Sequence, residues 1–160
     1  MTLHILDDIL FVQGILNLEF SKEGFKVETI MLLCDYAEVI NGKLYIMGGG
    51  WTLCPPGPRN MALAIRVLVP WDETNVKHRL VLMLQDEEGR TIELGEPPRP
   101  VKQEGEFEVG RPPVVLPGTE LDFSIAFGFA ALPLEPKKGY RWQLELDGEP
   151  VAHASFRTGG

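Results

Sequence analysis

The chain has 160 residues, of which 44% are hydrophobic and 24% charged, which is the composition of a folded domain and not of a disordered chain. Its formal net charge of −8, with no cluster of Lys and Arg to offset it, disfavours binding to the phosphate backbone of nucleic acids. Its 2 cysteines are too few for a disulfide scaffold.

The first 25 residues differ in pattern from the rest of the chain. Their apolar residues at helical spacing are Leu6, Ile9, Leu10 and Leu16. Gly14 interrupts that spacing, and Asp7 and Asp8 are unlike the positive start of a signal peptide. No apolar run reaches the ~20 residues that a membrane helix needs. We expect residues 1–25 to be an appendage (a docking helix, an extra strand or an upstream extension) of a cytoplasmic protein that does not contact membranes.

From Lys26 onward the apolar residues follow period two. Asn41-Gly42 predicts a two-residue type I′ hairpin turn, which pairs Ile40 with Lys43, Tyr36 with Met47 and Cys34 with Gly49. Cys54 then lies about 16 Å further along, at ~3.3 Å per residue. A disulfide needs Cα atoms within roughly 7 Å, so we expect two reduced thiols, which suit the cytoplasm.

The later strands repeat this pattern. Apolar residues that share a face are Met61, Leu63, Ile65, Val67 and Val69; Leu80, Leu82 and Leu84; Leu121, Phe123, Ile125, Phe127 and Phe129; and Tyr140, Trp142, Leu144 and Leu146. Asp147-Gly148 predicts a second tight hairpin, and residues 85–89 predict a hairpin loop with Gly89 in the left-handed region. We therefore predict an all-β fold for residues 26–160, an antiparallel two-sheet β-sandwich of immunoglobulin-like architecture.

Three consecutive glycines, Gly48 to Gly50, precede Trp51. A bare backbone lets a ligand approach closely, with the indole ring as a stacking platform. The alternative is a bend where the chain crosses between sheets, with Trp51 buried. Sandwich corners need such bends, so the second interpretation is favoured, although the sequence leaves both open.

The loop after Pro70 holds the densest set of polar and aromatic side chains. Proline donates no hydrogen bond to a β-ladder, so we expect the strand to end there and to release Trp71 into the loop. The candidate binding residues are Trp71, Asp72, Glu73, Asn75 and His78. They suit a sugar ring, a cationic peptide or a cation. A capped turn with Trp71 folded over the end of the sandwich is the structural alternative.

Motifs for catalysis are absent from the sequence. There is no G-x-S-x-G, H-E-x-x-H, C-x-x-C or P-loop pattern, and the histidines lie far apart without paired nucleophiles. We therefore expect no catalytic residue, no metal site and no cofactor. The predicted function is a non-enzymatic module that binds a protein or a small molecule. The alternatives are a Ca²⁺-dependent module with acids from residues 72–73 and 86–88, or an enzyme with a dispersed site; the sequence does not specify the oligomeric state.

Four stretches carry a resemblance to a known family. They are LCDYAEVINGKLYIMGGGW (33–51), RVLVPWDETNVKHRL (66–80), GEFEVGRPP (105–113) and YRWQLELDGEP (140–150). In these the chain resembles a family of small uncharacterised bacterial proteins, mainly actinobacterial. The resemblance covers about residues 26–156 and omits the N-terminal segment. It implies no established activity, cofactor or catalytic residue.

Overall fold

The computed structural model describes residues 27–160, so the predicted appendage at residues 1–25 lies outside the described residues. The strands of the described part are β1 (Glu28–Ile40), β2 (Lys43–Gly49), β3 (Leu53–Cys54), β4 (Gly57–Val69), β5 (Lys77–Asp86), β6 (Glu93–Leu94), β7 (Arg99–Pro100), β8 (Lys102–Glu108), β9 (Leu121–Leu134), β10 (Gly139–Leu146) and β11 (Glu149–Thr158). A short 3-10 helix, Trp71–Glu73, lies between β4 and β5. Within residues 27–160 no helix has the length and apolarity needed to span a membrane.

The strands form two main sheets. Sheet A has the order β2-β1-β4-β9, and sheet B has the order β3-β11-β10-β5-β8, while β6 and β7 form a separate two-stranded ribbon. Neighbouring strands are antiparallel except for β11 and β3, which pair in parallel over two residues. The predicted all-β, two-sheet antiparallel sandwich is therefore confirmed. Its immunoglobulin-like architecture stays a prediction.

The core lies between the two sheets, where the predicted apolar stripes of β4, β5 and β10 meet. The stripe residues of these three strands, from Met61 to Val69, Leu80 to Leu84 and Tyr140 to Leu146, are buried. Trp142 is 0% exposed. Its ring stacks on Phe129 at 4.2 Å between centroids, and its indole N–H donates to the sulfur of Met61 at 3.4 Å. Burying such side chains contributes roughly 1.5–3 kcal/mol each, so these stripes hold the sheets together.

The aromatic stripe of β9 is less buried than its periodicity suggests. Phe123, Ile125, Phe127 and Phe129 pack against the core but are only half-buried. The reason is position, because β9 is the terminal strand of sheet A among the described residues. Phe123, Ile125 and Phe127 line an apolar cleft of about 210 Å³ that opens beside β8, the terminal strand of sheet B.

The two tight turns form as predicted. Asn41 and Gly42 have φ of 50° and 73°, and the register pairs Ile40 with Lys43, Tyr36 with Met47 and Cys34 with Gly49. Asp147 and Gly148, with φ of 51° and 84°, connect β10 to β11. Positive φ at both central residues is the type I′ geometry, which explains the Asn-Gly and Asp-Gly sequences.

Candidate functional site

The loop after β4 is closed by an arginine from a distant part of the chain. The guanidinium of Arg111 lies over the Trp71 ring, 4.4 Å from its centroid. It also donates to the Trp71 carbonyl at 2.6 Å and to the hydroxyl of Thr74. Trp71 is half-buried and Thr74 is buried. The indole face that was expected to be open is therefore covered by a cation–π contact.

His78 fixes this loop to the rest of sheet B. Its ring is 1% exposed, with Nδ1 2.8 Å from Asp147 Oδ2 and Nε2 2.8 Å from the Glu73 carbonyl. Burial lowers the pKa of His78, but the hydrogen bonds to Asp147 and Glu73 outweigh it and raise the pKa above 6.5. Both neighbours are acceptors, so the doubly protonated ring can donate to each. This geometry gives His78 a structural role.

The five predicted binding residues lie in one short segment, but they differ in exposure. Trp71 is under Arg111, and His78 is buried behind the loop. Asp72 and Asn75 are exposed. Asn75 has a φ of 57°, and its backbone N–H donates to the Val109 carbonyl at 2.8 Å. That these residues bind a ligand or partner stays a prediction.

Sequence reasoning missed Arg111 and Asp147, the two side chains that organise this loop. They lie far along the chain from Trp71 and His78, and no local pattern links residues 40 or 69 positions apart. The Asp147-Gly148 turn was the one sequence feature that could have pointed to the partner of His78. Its Asp was predicted for its tolerance of positive φ, whereas its carboxylate also accepts bonds from His78 and from the Arg79 amide.

The calcium hypothesis that combines both acidic loops is wrong. Residues 72–73 precede β5 and residues 86–88 follow it, so about 30 Å of strand separates them at ~3.3 Å per residue. The second loop is also occupied, because Asp86 and Glu88 bind Arg90, and Glu87 binds Arg157. Within residues 27–160 no three His, Cys, Asp or Glu side chains are grouped to hold a metal ion.

A cleft of about 450 Å³ lies at the end of sheet B where β5 ends, between the loop 86–89 and the strands β10 and β11. Several of its polar side chains contact one another. Arg157 binds Glu87 at 2.5 Å, and Arg141 donates to Ser155 at 3.4 Å. A ligand that uses these side chains would have to compete with those contacts.

The exposed apolar side chains concentrate elsewhere, on the hairpin formed by β1 and β2. Those between residues 30 and 47 are Ile30, Tyr36, Val39, Ile40, Tyr45, Ile46 and Met47. In the rest of the described chain they are Leu53, Val76, Val114 and Leu116. Met47 is 65% exposed, and Tyr36 and Tyr45 are 51% and 50% exposed. Seven of the eleven large apolar side chains that are exposed in the described residues therefore lie on the β1–β2 hairpin.

The outer half of this hairpin is a two-stranded ribbon. β1 pairs with β4 only over Glu28–Cys34, and beyond Cys34 its partner in the described part of the chain is β2. Strand alternation places Tyr36, Tyr45 and Met47 on one face and Val39 and Ile46 on the other. Both faces thus carry exposed apolar side chains. An isolated two-stranded ribbon is marginally stable in water, and this one is attached to sheet A through Glu28–Cys34.

The triple glycine forms the base of the hairpin. Gly48 has φ of 61°, and a Cβ there would lie 2.1 Å from Oδ2 of Asp35. Gly49 and Gly50 carry the chain from β2 in sheet A toward β3 in sheet B. Trp51 is half-buried, with its N–H donating to Asp35 at 3.1 Å and its ring against Phe156 at 5.7 Å. The predicted bend between sheets is confirmed, but Trp51, which was expected to be buried there, is only half-buried.

The two cysteines lie in different sheets. Both are free and buried. Cys34 donates to the Ala62 carbonyl at 3.4 Å on the outer side of sheet A, in a small cluster with Ala62 and Ala64. Burial and the nearby Asp35 raise the pKa of Cys34, and burial raises the pKa of Cys54. Both thiols are therefore poor nucleophiles.

Comparison with known proteins adds a family and no activity. No curated protein matches the chain. Among solved structures, a beta-glucosidase from Listeria innocua in complex with gluconolactone is similar over 84% of this chain, at 13% identity and a TM-score of 0.39. This chain spans 16% of the length of that enzyme. A family model matches residues 29–158, in agreement with the resemblance in the sequence. The chain belongs to a family of unknown function, DUF6941.

Proposed function

We propose that the protein is a non-enzymatic interaction module and that the β1–β2 hairpin is its contact surface for a protein partner. The observation that carries the proposal is the concentration of exposed Tyr, Met and Ile side chains on this one hairpin. Singly scattered apolar residues are normal on protein surfaces, whereas a contiguous patch marks an interaction site. Tyr and Met are also enriched at protein interfaces.

The other candidate surfaces support this choice. The cleft between the loop 86–89 and the strands β10 and β11 contains the ion pair of Arg157 with Glu87, and Trp71 is covered by Arg111. The hairpin, by contrast, presents apolar groups that have no cover in the described part of the chain. We also infer a cytoplasmic location, which the two free, buried cysteines support.

Site-specific photo-crosslinking tests the proposal. A photoreactive amino acid replaces Met47 in the full chain, and the matched control carries it at Leu116, which is 76% exposed in a loop far from the hairpin in sequence. Irradiation in the cells that make the protein is expected to give a discrete heavier adduct from position 47 and none from position 116. Equal adducts from both positions, or none from position 47, contradict the proposal.

A further inference from the structure

We infer that the partner of the β1–β2 hairpin is a second copy of this chain, which pairs antiparallel through β2 with Tyr45 on the two-fold axis. The inference rests on the proposed function, because it names the partner of the same surface. The paired dimer joins two four-stranded sheets into one sheet of eight strands, in the order β9-β4-β1-β2 and then the same strands of the copy in reverse.

The edge of β2 has the groups that strand pairing requires. β2 is terminal in sheet A, and the described residues place no strand on its outer side. In a two-residue hairpin the residues that flank the turn form a hydrogen-bonded pair, and such pairs recur at every second position. Lys43, Tyr45 and Met47 therefore direct their backbone groups toward β1. The N–H and C=O groups of Leu44 and Ile46 point outward.

This edge lacks the features that prevent strand pairing. Proteins protect edges with charges, prolines and very short strands. β8, the edge of sheet B, follows that rule and carries Lys102, Glu104, Glu106 and Glu108. β2 reads Lys-Leu-Tyr-Ile-Met-Gly-Gly, with its one charge at the first position and no proline. An unprotected apolar edge with outward amides is a template for another strand.

The glycines define the register. Gly42, at φ of 73°, and Gly48, at φ of 61°, bound the regular part of β2, which is residues 43–47. Tyr45 is the middle residue of this stretch. Antiparallel self-pairing about Tyr45 places Leu44 opposite Ile46 of the copy, so their outward N–H and C=O groups exchange hydrogen bonds. Tyr45 then faces its own copy in a non-hydrogen-bonded pair, with Cα atoms about 4.5 Å apart.

Charge permits this contact in a chain whose net charge is −8. No acidic residue lies on β2, so the two edges meet without carboxylates facing each other. In the register centred on Tyr45, Lys43 lies opposite Met47 of the copy. Met47 is uncharged, so no like charges oppose each other across the axis. A second copy therefore meets this edge without electrostatic repulsion.

Sedimentation velocity over a concentration series tests the inference on the full chain. The wild type is expected to sediment as a dimer with twice the mass of the chain. Ile46→Lys places a charge beside the axis, opposite Leu44 of the copy, and is expected to raise the dimer dissociation constant on the order of 100-fold. The control Leu116→Lys adds the same charge to an exposed loop and is expected to remain dimeric. A wild type that stays monomeric, or an Ile46→Lys variant that stays dimeric, overturns the inference.

An engineered disulfide gives a second readout that does not depend on the folding of Ile46→Lys. Tyr45→Cys is expected to crosslink to its own copy on mild oxidation, because the predicted Cα separation suits a disulfide. Tyr36→Cys is the control, since Tyr36 is equally exposed but pairs with Met47 inside the hairpin. A covalent dimer from Tyr36→Cys and none from Tyr45→Cys overturns the inference. If the wild type is monomeric while position 47 crosslinks to another protein, the inference that the partner is a second copy is wrong, but the proposed function stands.

Discussion

At the scale of single residues, His78 connects three parts of the molecule that are distant in sequence. It bonds the Glu73 carbonyl on one side and Asp147 in the β10–β11 turn on the other, and its ring lies 5.4 Å from that of Phe107 on β8. Such a buried ring with two acceptor neighbours stabilises the fold most when it is protonated. The stability of the protein should therefore depend on the pH.

We expect Asp147→Asn to lower the pKa of His78 and to destabilise the protein more at pH 6 than at pH 9. The folded-state pKa of His78 is raised above 6.5. The stability from the protonated ring is therefore fully present below about pH 6.5 and is lost as the pH rises through the folded-state pKa. NMR titration of the ring and urea unfolding at both pH values measure this, with Asp122→Asn, an exposed carboxylate, as the control. A destabilisation that is the same at both pH values would refute the explanation.

Gly48 is a position where the backbone requires glycine. Gly48→Ala is expected to destabilise the protein by about 1–3 kcal/mol, because the positive φ is strained for alanine and its Cβ would overlap Asp35. Gly128→Ala is the matched control on β9, since a Cβ there meets nothing within 4 Å. Adding Asp35→Ala should recover part of the loss at Gly48. Equal stability of the two glycine variants in urea would show that the bend tolerates a side chain.

At the scale of strands, β10 separates a buried face from an exposed one. Trp142→Ala is expected to cost about 3–5 kcal/mol, the usual range for a buried aromatic residue, whereas Arg141→Ala on the opposite face should cost little. Phe123→Ala should fall between them, because β9 is a terminal strand and Phe123 is half-buried. Urea unfolding of the three variants measures the order. If Phe123→Ala is as destabilised as Trp142→Ala, Phe123 is fully buried, and the apolar cleft between β8 and β9 is closed.

Turn chemistry explains why some elements were predictable to the residue. An Asn-Gly pair has one favoured hairpin geometry, so the sequence alone predicts the pairing of β1 with β2 down to Cys34 and Gly49. Alternation then assigns the faces of β4, β5 and β10. The bend at Gly48 was predictable for the same reason, since three glycines end the regular pattern of a strand.

Strand neighbours were not predictable, because period two gives the face of a residue and not the strand beside it. β9 and β4 both carry strong apolar stripes, but β9 is terminal and β4 is central, so their burial differs. The covering of Trp71 by Arg111 and the pair of His78 with Asp147 depend on that arrangement. For this reason the sequence predicted a more exposed Trp71 than the fold contains.

At the scale of the whole molecule, polar and apolar surfaces are unevenly distributed. The cleft between the loop 86–89 and the strands β10 and β11 contains charges that pair within the chain, as Arg157 does with Glu87. The β1–β2 hairpin instead carries exposed Tyr, Ile and Met side chains around an open strand edge. An acidic chain that keeps such a patch is expected to cover it with a protein partner.

Hydroxyl-radical footprinting in the cells that make the protein tests this claim most directly. Tyr and Met side chains react readily, so Tyr36, Tyr45 and Met47 report the cover of the hairpin, while Leu116 reports a surface that stays open. The labelling of each residue is compared with that of the purified chain at high dilution. We expect the three hairpin residues to be several-fold less labelled in the cell, with Leu116 unchanged. Equal labelling of the hairpin in both conditions would contradict its role as the contact surface.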